Sequence, residues 1–450
     1  DQGARAREDH GQGGRGVAGE EAIVLSGADR AAALVAISRT LDAFYGASPE
    51  PFVPGKSRVA LSAATFGKPE VMEAIDSLLS GFVTMGKKSR EFETMVERDL
   101  GVGNALFCNS GSSSNLLAVA ALSNQWTSGA WKPGDEIITG AVTWSTTVWP
   151  LIQHGLKPVF VDIDPRTLTL DLDQVEAAIT PKTRGLAVVH LLGNPVDMDR
   201  VTDIARRHGL LVFEDCCEAL GATWKSKPVG TSGDAGSFST YFSHHITTIE
   251  GGLMTTNRDD VAEASRALRE HGWTRSLRGR PEWAAKHPDM DDRFLFANTG
   301  YNLRPTEVSG AFGIHQWKRL PGFLKTRKAN HDYWTSRLEP YRDVLHLVDA
   351  PPGASHFSFA ASPKRNAPFT RKQWATFLES KGIETRPIMT GNFTRHPVWH
   401  NLPHKVHGKT TNADFVSDAG LLWGNHHLIG PAEREYVADA VDTFMHSHGA

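Results

Sequence analysis

The sequence predicts an α/β protein with a mostly parallel central sheet, helices on both of its faces, and a smaller C-terminal α+β domain. Alternation carries the first part of that expectation. Between about residues 100 and 260 the runs DEIITGA, KPVFVDI, RGLAVVHL, GLLVFED, SFSTYF and GGLMTTN take turns with helical stretches such as LDQVEAAI and MDRVTDIARRH. Several runs are almost continuously apolar, as strands buried on both faces are. Length carries the second part, because 450 residues exceed what one hydrophobic core accommodates. In sheets of this kind ligands bind beyond the carboxyl ends of the strands.

In chain order, residues 1–20 mix glycine with charge and lack apolar periodicity, so they are expected to form a disordered tail. A helical pattern runs from Glu20 to Ala47, and the prolines of PEPFVPGKS impose an extended connection after it. The large domain, with this helical region, is expected over 21–325. A long polar helix, KTRKANHDYWTSRLEPY, opens the small domain, 326–450, and Pro351 to Gly353 separate it from a shorter α+β segment.

The formal charge of -3 supplies no basic field, which argues against nucleic acid and anionic membrane surfaces as partners. No run approaches the roughly 20 apolar residues of a spanning helix, and the opening lacks the apolar centre of a signal peptide. Cys108, Cys216 and Cys217 are the only cysteines, and the last two are neighbours, a poor start for a disulfide framework. The expected location is cytoplasmic.

Four clusters carry chemistry. In CNSGSSSNLLAVAAL a Gly/Ser-rich turn opens a helix, which aims backbone N–H groups and hydroxyls at an anion; Gly111, Ser112 and Ser113 are phosphate candidates, although serine caps of this kind are common. In PGDEIITGAVTWSTTVWPL, Trp144 falls just past a strand end, where its face can stack on a planar ring or simply pack. In GLLVFEDCCEALGA an apolar strand runs into Glu214 and Asp215. A carboxylate placed there is costly without a cationic partner, for which a structural ion pair or the protonated nitrogen of a pyridine ring would serve. Glu218, three positions on, reaches toward a ring hydroxyl. In GDAGSFSTYFSHHITTIEGGLMTT a strand delivers Ser239 and then His244 and His245 into a loop ending in two glycines. Metal binding is disfavoured, because adjacent side chains diverge and no further ligand stands at a typical spacing.

Together these clusters resemble the DegT/DnrJ/EryC1/StrS family of pyridoxal-phosphate sugar aminotransferases, over roughly residues 57 to 446. The family's SGT-like turn, stacking aromatic, EDxAxALGA and SFxPTKxLTTGEGG motifs appear here in the same order as SGSSSN, TWSTT, EDCCEALGA and SFSTYFSHHITTIEGG. The resemblance implies aminotransferase fold type I. Aligned on Glu250-Gly251-Gly252, the family's Schiff-base lysine falls at His244, and no lysine occurs between Lys227 and Lys286. That replacement marks the branch of 3-dehydratases acting on nucleotide-linked 4-keto-6-deoxyhexoses, with GDP-4-keto-6-deoxymannose the substrate implied. HGWTR from His271, GYNLRPTEVSGAFGI from Gly300, RPIMTGNFTRHP from Arg386 and GNHHL from Gly424 add to the likeness.

The resemblance implies a lyase working with pyridoxal and pyridoxamine 5'-phosphate, with His244 as acid and base and Asp215 holding the ring nitrogen protonated. It also implies Asn302 as a phosphate contact supplied across a homodimer. Arg304 and His245 are expected at the sugar or at glutamate, the amino donor that restores the amine form of the cofactor. A sister branch uses an iron–sulfur cluster, which needs several thiolates close together, and after Cys217 this sequence has none. The competing expectations are a conventional aminotransferase that has recruited another group in place of lysine, and a B6-fold binding protein without chemistry.

Overall fold

The computed structural model describes residues 27–47 and 50–449. The expected tail, 1–20, and the first residues of the expected helical pattern lie outside them. The described residues up to Ala47 form one unit, with the helix Gly27–Tyr45. The second unit carries an eight-stranded sheet, a four-stranded sheet and a two-stranded one.

Fourteen strands follow in chain order: β1 (Asn104–Cys108), β2 (Glu136–Gly140), β3 (Lys157–Val161), β4 (Thr183–Val189), β5 (Leu211–Asp215), the short pair β6 (Thr223–Trp224) and β7 (Lys227–Pro228), β8 (Ala235–Ser239), β9 (Gly252–Thr256), β10 (Leu345–Leu347), β11 (Ser358–Pro363), β12 (Thr385–Arg386), β13 (Lys405–Val406) and β14 (Leu421–Gly424). The large sheet has the order β1-β9-β8-β5-β4-β2-β3-β13. Only the two pairings made by β9 are antiparallel. The mostly parallel α/β sheet expected from the alternation is therefore present. Its strands β1, β2, β8 and β9 are buried at every position, which is why, apart from Asn104 and Glu136 at the starts of β1 and β2, their sequences are apolar or small residues.

The covering helices are built on ordinary rules. Met198–His208 is capped by Asp197, whose carboxylate accepts the N–H of Arg200, and it ends at Gly209 with φ +63. It buries Met198, Val201, Ile204 and Ala205 at helical spacing and leaves Arg206 and Arg207 in the last turn.

The small sheet, β10-β11-β14-β12, is antiparallel throughout. Its core stacks Phe359 on Trp423 with ring centroids 4.8 Å apart and edges Trp334 and Trp374 against the latter. Between the sheets runs one continuous helix, Glu307–Leu338, so position 325, where the sequence texture changes, lies inside a helix. It begins well before the expected KTRKANHDYW segment and contains Pro321. The small core also draws in Val59, which bridges to Ile383, and the large sheet takes β13 from beyond residue 400.

Glu214 anchors the centre of the large sheet. Its fully buried carboxylate accepts the N–H groups of Gly230, Ser232 and Gly233 at 2.8, 2.8 and 2.6 Å, and His190 Nε2 lies 3.1 Å away. Burial pushes its pKa up, but the His190 contact and the backbone N–H groups outweigh that and hold it below the usual carboxylate value. A lowered folded-state pKa means its stabilisation is complete above the ordinary carboxylate range and is lost as pH falls through the lowered value. Glu214→Ala, which strands three buried N–H groups, is expected to cost about 3–5 kcal/mol in urea unfolding at neutral pH, with a smaller penalty in acid.

Candidate active site

Strand alternation sends the side chain after Glu214 to the opposite face of the sheet. Asp215, 4% exposed, there meets only neutral donors: Asn115 Nδ2 at 2.9 Å, Thr147 Oγ1 at 2.6 Å and the Cys217 N–H at 3.0 Å. Among the described residues no Lys, Arg or His forms an ion pair with it. The two side-chain donors sit one turn inside the helices Gly111–Leu122 and Ser145–Gln153. Asn115 is held in turn by Ser237 Oγ, a bond that fixes which end of the amide faces the carboxylate.

A cavity of about 530 Å³ opens over this carboxylate. Gly111, Ser112, Trp144, Asp215, Glu218, Ser239 and His244, all singled out in the sequence, line it together. Ser110 caps the first helix by accepting the Ser113 N–H at 3.0 Å, and the Ser113 hydroxyl bonds to Ser110 as well. Ser113 therefore serves the cap and does not line the cavity. Gly111 packs so closely on β8 that a Cβ there would stand 2.5 Å from Ser239 Cβ, which leaves backbone, not side chain, facing the space. Trp144 is 51% exposed on the loop after β2.

The His244 imidazole lies on the loop after β8, 5.2 Å from the Phe357 ring and 5.9 Å from Tyr241, and its Nδ1 is buried without a partner. Burial, with the Arg327 guanidinium second, pushes its pKa down to about 4. His245 turns the other way, into the protein, where its Nε2 lies 3.1 Å from the Ser355 carbonyl, and it does not line the cavity. Asn302 and Arg304 are elsewhere too. Arg304 donates to Asn302 Oδ1 at 3.1 Å and lies over the Trp273 ring, outside this chain's cavity.

Sequence reasoning missed Asn115, Thr147, Arg327, Arg386 and His426, all but Thr147 lining the cavity. Asn115 and Thr147 were within reach, since each follows a recognised motif residue by about one helical turn. The basic residues, from the long helix and the small sheet, face the acidic end of the cleft formed by Asp215 and Glu218. His190, Glu214 and Cys216 bring metal-ligand atoms within 4.8 Å of one another. Those of the first two are already engaged, His190 Nδ1 by the Val196 N–H and Glu214 by its three amides, so the trio is structural.

The fold and the cavity at the strand ends define an aminotransferase-type α/β protein. A model of the DegT/DnrJ/EryC1/StrS aminotransferase family matches residues 65–442, and the chain belongs to that family. The GDP-4-keto-6-deoxy-D-mannose 3-dehydratase of Escherichia coli O55:H7 is 38% identical over 375 residues, 82% of this chain and 96% of that one. The protein of the same name from Yersinia pseudotuberculosis is 39% identical over 377 residues, 82% and 94% of the two chains. A crystal structure of GDP-4-keto-6-deoxymannose-3-dehydratase with a trapped PLP-glutamate geminal diamine superposes with a TM-score of 0.81 at 36% identity, covering 84% of this chain and 99% of that one.

Glu218 offers a direct test of the site's electrostatics. Burial raises its pKa, the Leu192 N–H at 2.9 Å opposes this, and the Asp215 charge adds to the rise, leaving it at about 7. Infrared titration of the protein without added ligands is expected to show a protonated carboxyl band that fades as pH rises through 7. The band should be absent from Glu218→Gln.

Proposed function

We propose that the chain is a pyridoxal/pyridoxamine phosphate-dependent 3-dehydratase of a nucleotide-linked 4-keto-6-deoxyhexose, with GDP-4-keto-6-deoxymannose the substrate its relatives' names point to. One observation carries the reading: across the cavity from the buried Asp215 carboxylate stands an imidazole, and no lysine lines the space among the described residues. An enzyme tethering its cofactor as an imine needs an amine there; an imidazole only moves protons.

The residues fit the group. Asp215, a buried anion with neutral partners only, would hold a protonated pyridine nitrogen. Gly111 and Ser112 at a helix N-terminus, with Ser239, would receive the phosphate. Trp144 would cover a ring face and Glu218 would meet the ring hydroxyl. Bound as the amine form, the cofactor supplies a primary amine that condenses with a ketone and a ring that takes up an electron pair. His244, which lines the cavity, would accept a proton there and return it to the hydroxyl departing from carbon 3 of the sugar.

Glutamate, trapped with PLP in the related crystal structure, serves in this reading as the donor that restores the amine form. The scheme uses no iron–sulfur cluster, in keeping with only three cysteines, two of them buried. The working unit is read as a homodimer: Asn302 and Arg304 lie outside this chain's own cavity, and Phe294 and Phe296 near them are largely exposed. No described helix is long and apolar enough to cross a membrane, and a cytoplasmic site of action is part of the same proposal.

With glutamate, the absorbance band of the aldehyde form should fade as that of the amine form rises. Borohydride should leave no cofactor covalently bound, and covalent attachment would overturn the reading. His244→Asn should bind cofactor yet lose about two to four orders of magnitude in dehydration, measured by product mass, as expected when a general acid–base is removed.

A further inference from the structure

Arg327 is 3% exposed, yet among the described residues no Asp or Glu forms an ion pair with it. Its guanidinium is held by backbone carbonyls alone. Nη1 donates to the carbonyls of Phe357, at 2.7 Å, and of Asn425, while Nη2 reaches the His244 carbonyl at 3.4 Å; Nε is buried without a partner. These three acceptors belong to the segment before β11, the segment after β14 and the loop after β8. A buried cation without a counter-charge is costly, and an apolar side chain in its place would pack without that cost. Its position therefore calls for a purpose other than packing.

The surroundings supply one. His244, His245, His356, His426 and His427 all feel the Arg327 charge: burial pushes each toward its neutral form first, the Arg327 charge is the next cause at His244 and His245, and at the other three it is the last. Phe357 lies between, its ring 5.2 Å from His244 and 6.0 Å from the guanidinium carbon. The other titratable or charged groups that line the cavity with the imidazole are Tyr241 and Glu250 on its own loop, Asp215, Cys217 and Glu218 at the end of β5 and after it, and Arg386 and His426 from the small sheet. On the Arg327 side Asp332 acts on His356, but it is no cause of the His244 shift. We propose that Arg327 is the positioning residue of the acid–base histidine: it clamps the His244 carbonyl to the small sheet and sets a fixed positive charge behind the imidazole.

The inference rests on His244 being the acid–base group. A base must be unprotonated when substrate arrives, and a nearby cation secures this in mild acid, where a free imidazole would already be charged. The Arg327 charge does not vary over that range, for although burial lowers its own pKa, it does so only to about 9.

The test is an NMR titration of the His244 ring in the full chain, with isotope-labelled histidine and the signal assigned from His244→Asn. In the wild type the ring is expected to stay neutral down to about pH 5. In Arg327→Gln, which keeps a carbonyl-bonding amide and removes the charge, the titration should move up by about one pH unit or more. Arg327→Lys keeps the charge, so its titration should stay within about half a unit of the wild type. A Gln variant titrating with the wild type, or a Lys variant moving as far as the Gln variant, overturns the proposal. Should Arg327→Gln fail to fold, Arg327→Lys decides alone, and an upward shift beyond that half unit overturns it. The acidic limb of kcat/KM should shift in parallel. If His244→Asn still dehydrates its substrate, the function assigned to His244 falls while the ring titration still decides the role of Arg327.

Discussion

A carboxylate buried at the end of a central strand, hydrogen-bonded but not neutralised, is the constraint around which the rest of the site is arranged. Two acidic residues close β5, and the pleat gives them opposite fates. Glu214 turns toward three amides and a histidine and becomes part of the scaffold. Asp215 turns toward the cavity and receives three neutral hydrogen bonds, enough to orient it and too few to cancel its charge in a low-dielectric setting. The two helices on that side each give one polar side chain to the arrangement. Their N-termini are thereby registered to the same point, which is what brings Gly111, Ser112 and Trp144 to one mouth.

The opposite wall has the complementary character. Arg327, Arg386 and His426 line the cleft from the long helix and the small sheet, so the space that holds Asp215 and Glu218 is lined by cationic and imidazole groups as well. Strain collects around it as well. Leu192, Ile249, His356 and Met389 all have positive φ, and each lines the cleft or stands within three residues of a side chain that does. Such conformations cost of the order of 1–3 kcal/mol each and persist where surrounding contacts over-determine them. At Leu192 the contact is visible, since the twisted turn directs its N–H onto Glu218.

Much of this was legible in the sequence, and the reason differs from element to element. The parallel strands announced themselves because burial on both faces removes polar residues. The EDCCEALGA stretch stood out because charge directly after an apolar strand demands a partner. The loop histidine stood out only through the resemblance, as a substitution in a motif. What stayed hidden depends on distant contacts. The strand β1 reads as the lead-in to a serine-rich turn, and β13 pairs with β3 across more than two hundred residues. The start of the long helix was obscured by Pro321, whose lost N–H the helix tolerates. Arg327 was invisible because nothing in KTRKANHDYW distinguishes an inward arginine from a solvated one. Ser113 and His245 show the converse: each belongs to a functional motif but is spent on a cap or on a backbone contact.

The long helix explains how the loop carrying His244 is held in place by the protein itself. Gln316 Oε1 accepts the Thr247 N–H at 3.1 Å, and Arg327 grips the His244 carbonyl at 3.4 Å. These residues are eleven positions apart on one helix, about three full turns, so they project from the same face. Gln316 is itself fixed by Thr65 and Glu70, and Asn330 and Trp334 farther along hold the Ile429 and Arg434 carbonyls beyond β14. The loop is thus pinned at two points by a single rigid rod whose far end is built into the core that packs on the small sheet. A lysine joined to a cofactor is located by that bond; an imidazole in the acid–base role proposed for His244 has only its backbone to locate it. Gripping the chain at two points just after the ring, while the ring itself lines the cavity, reconciles accurate placement with the proton exchange proposed for it.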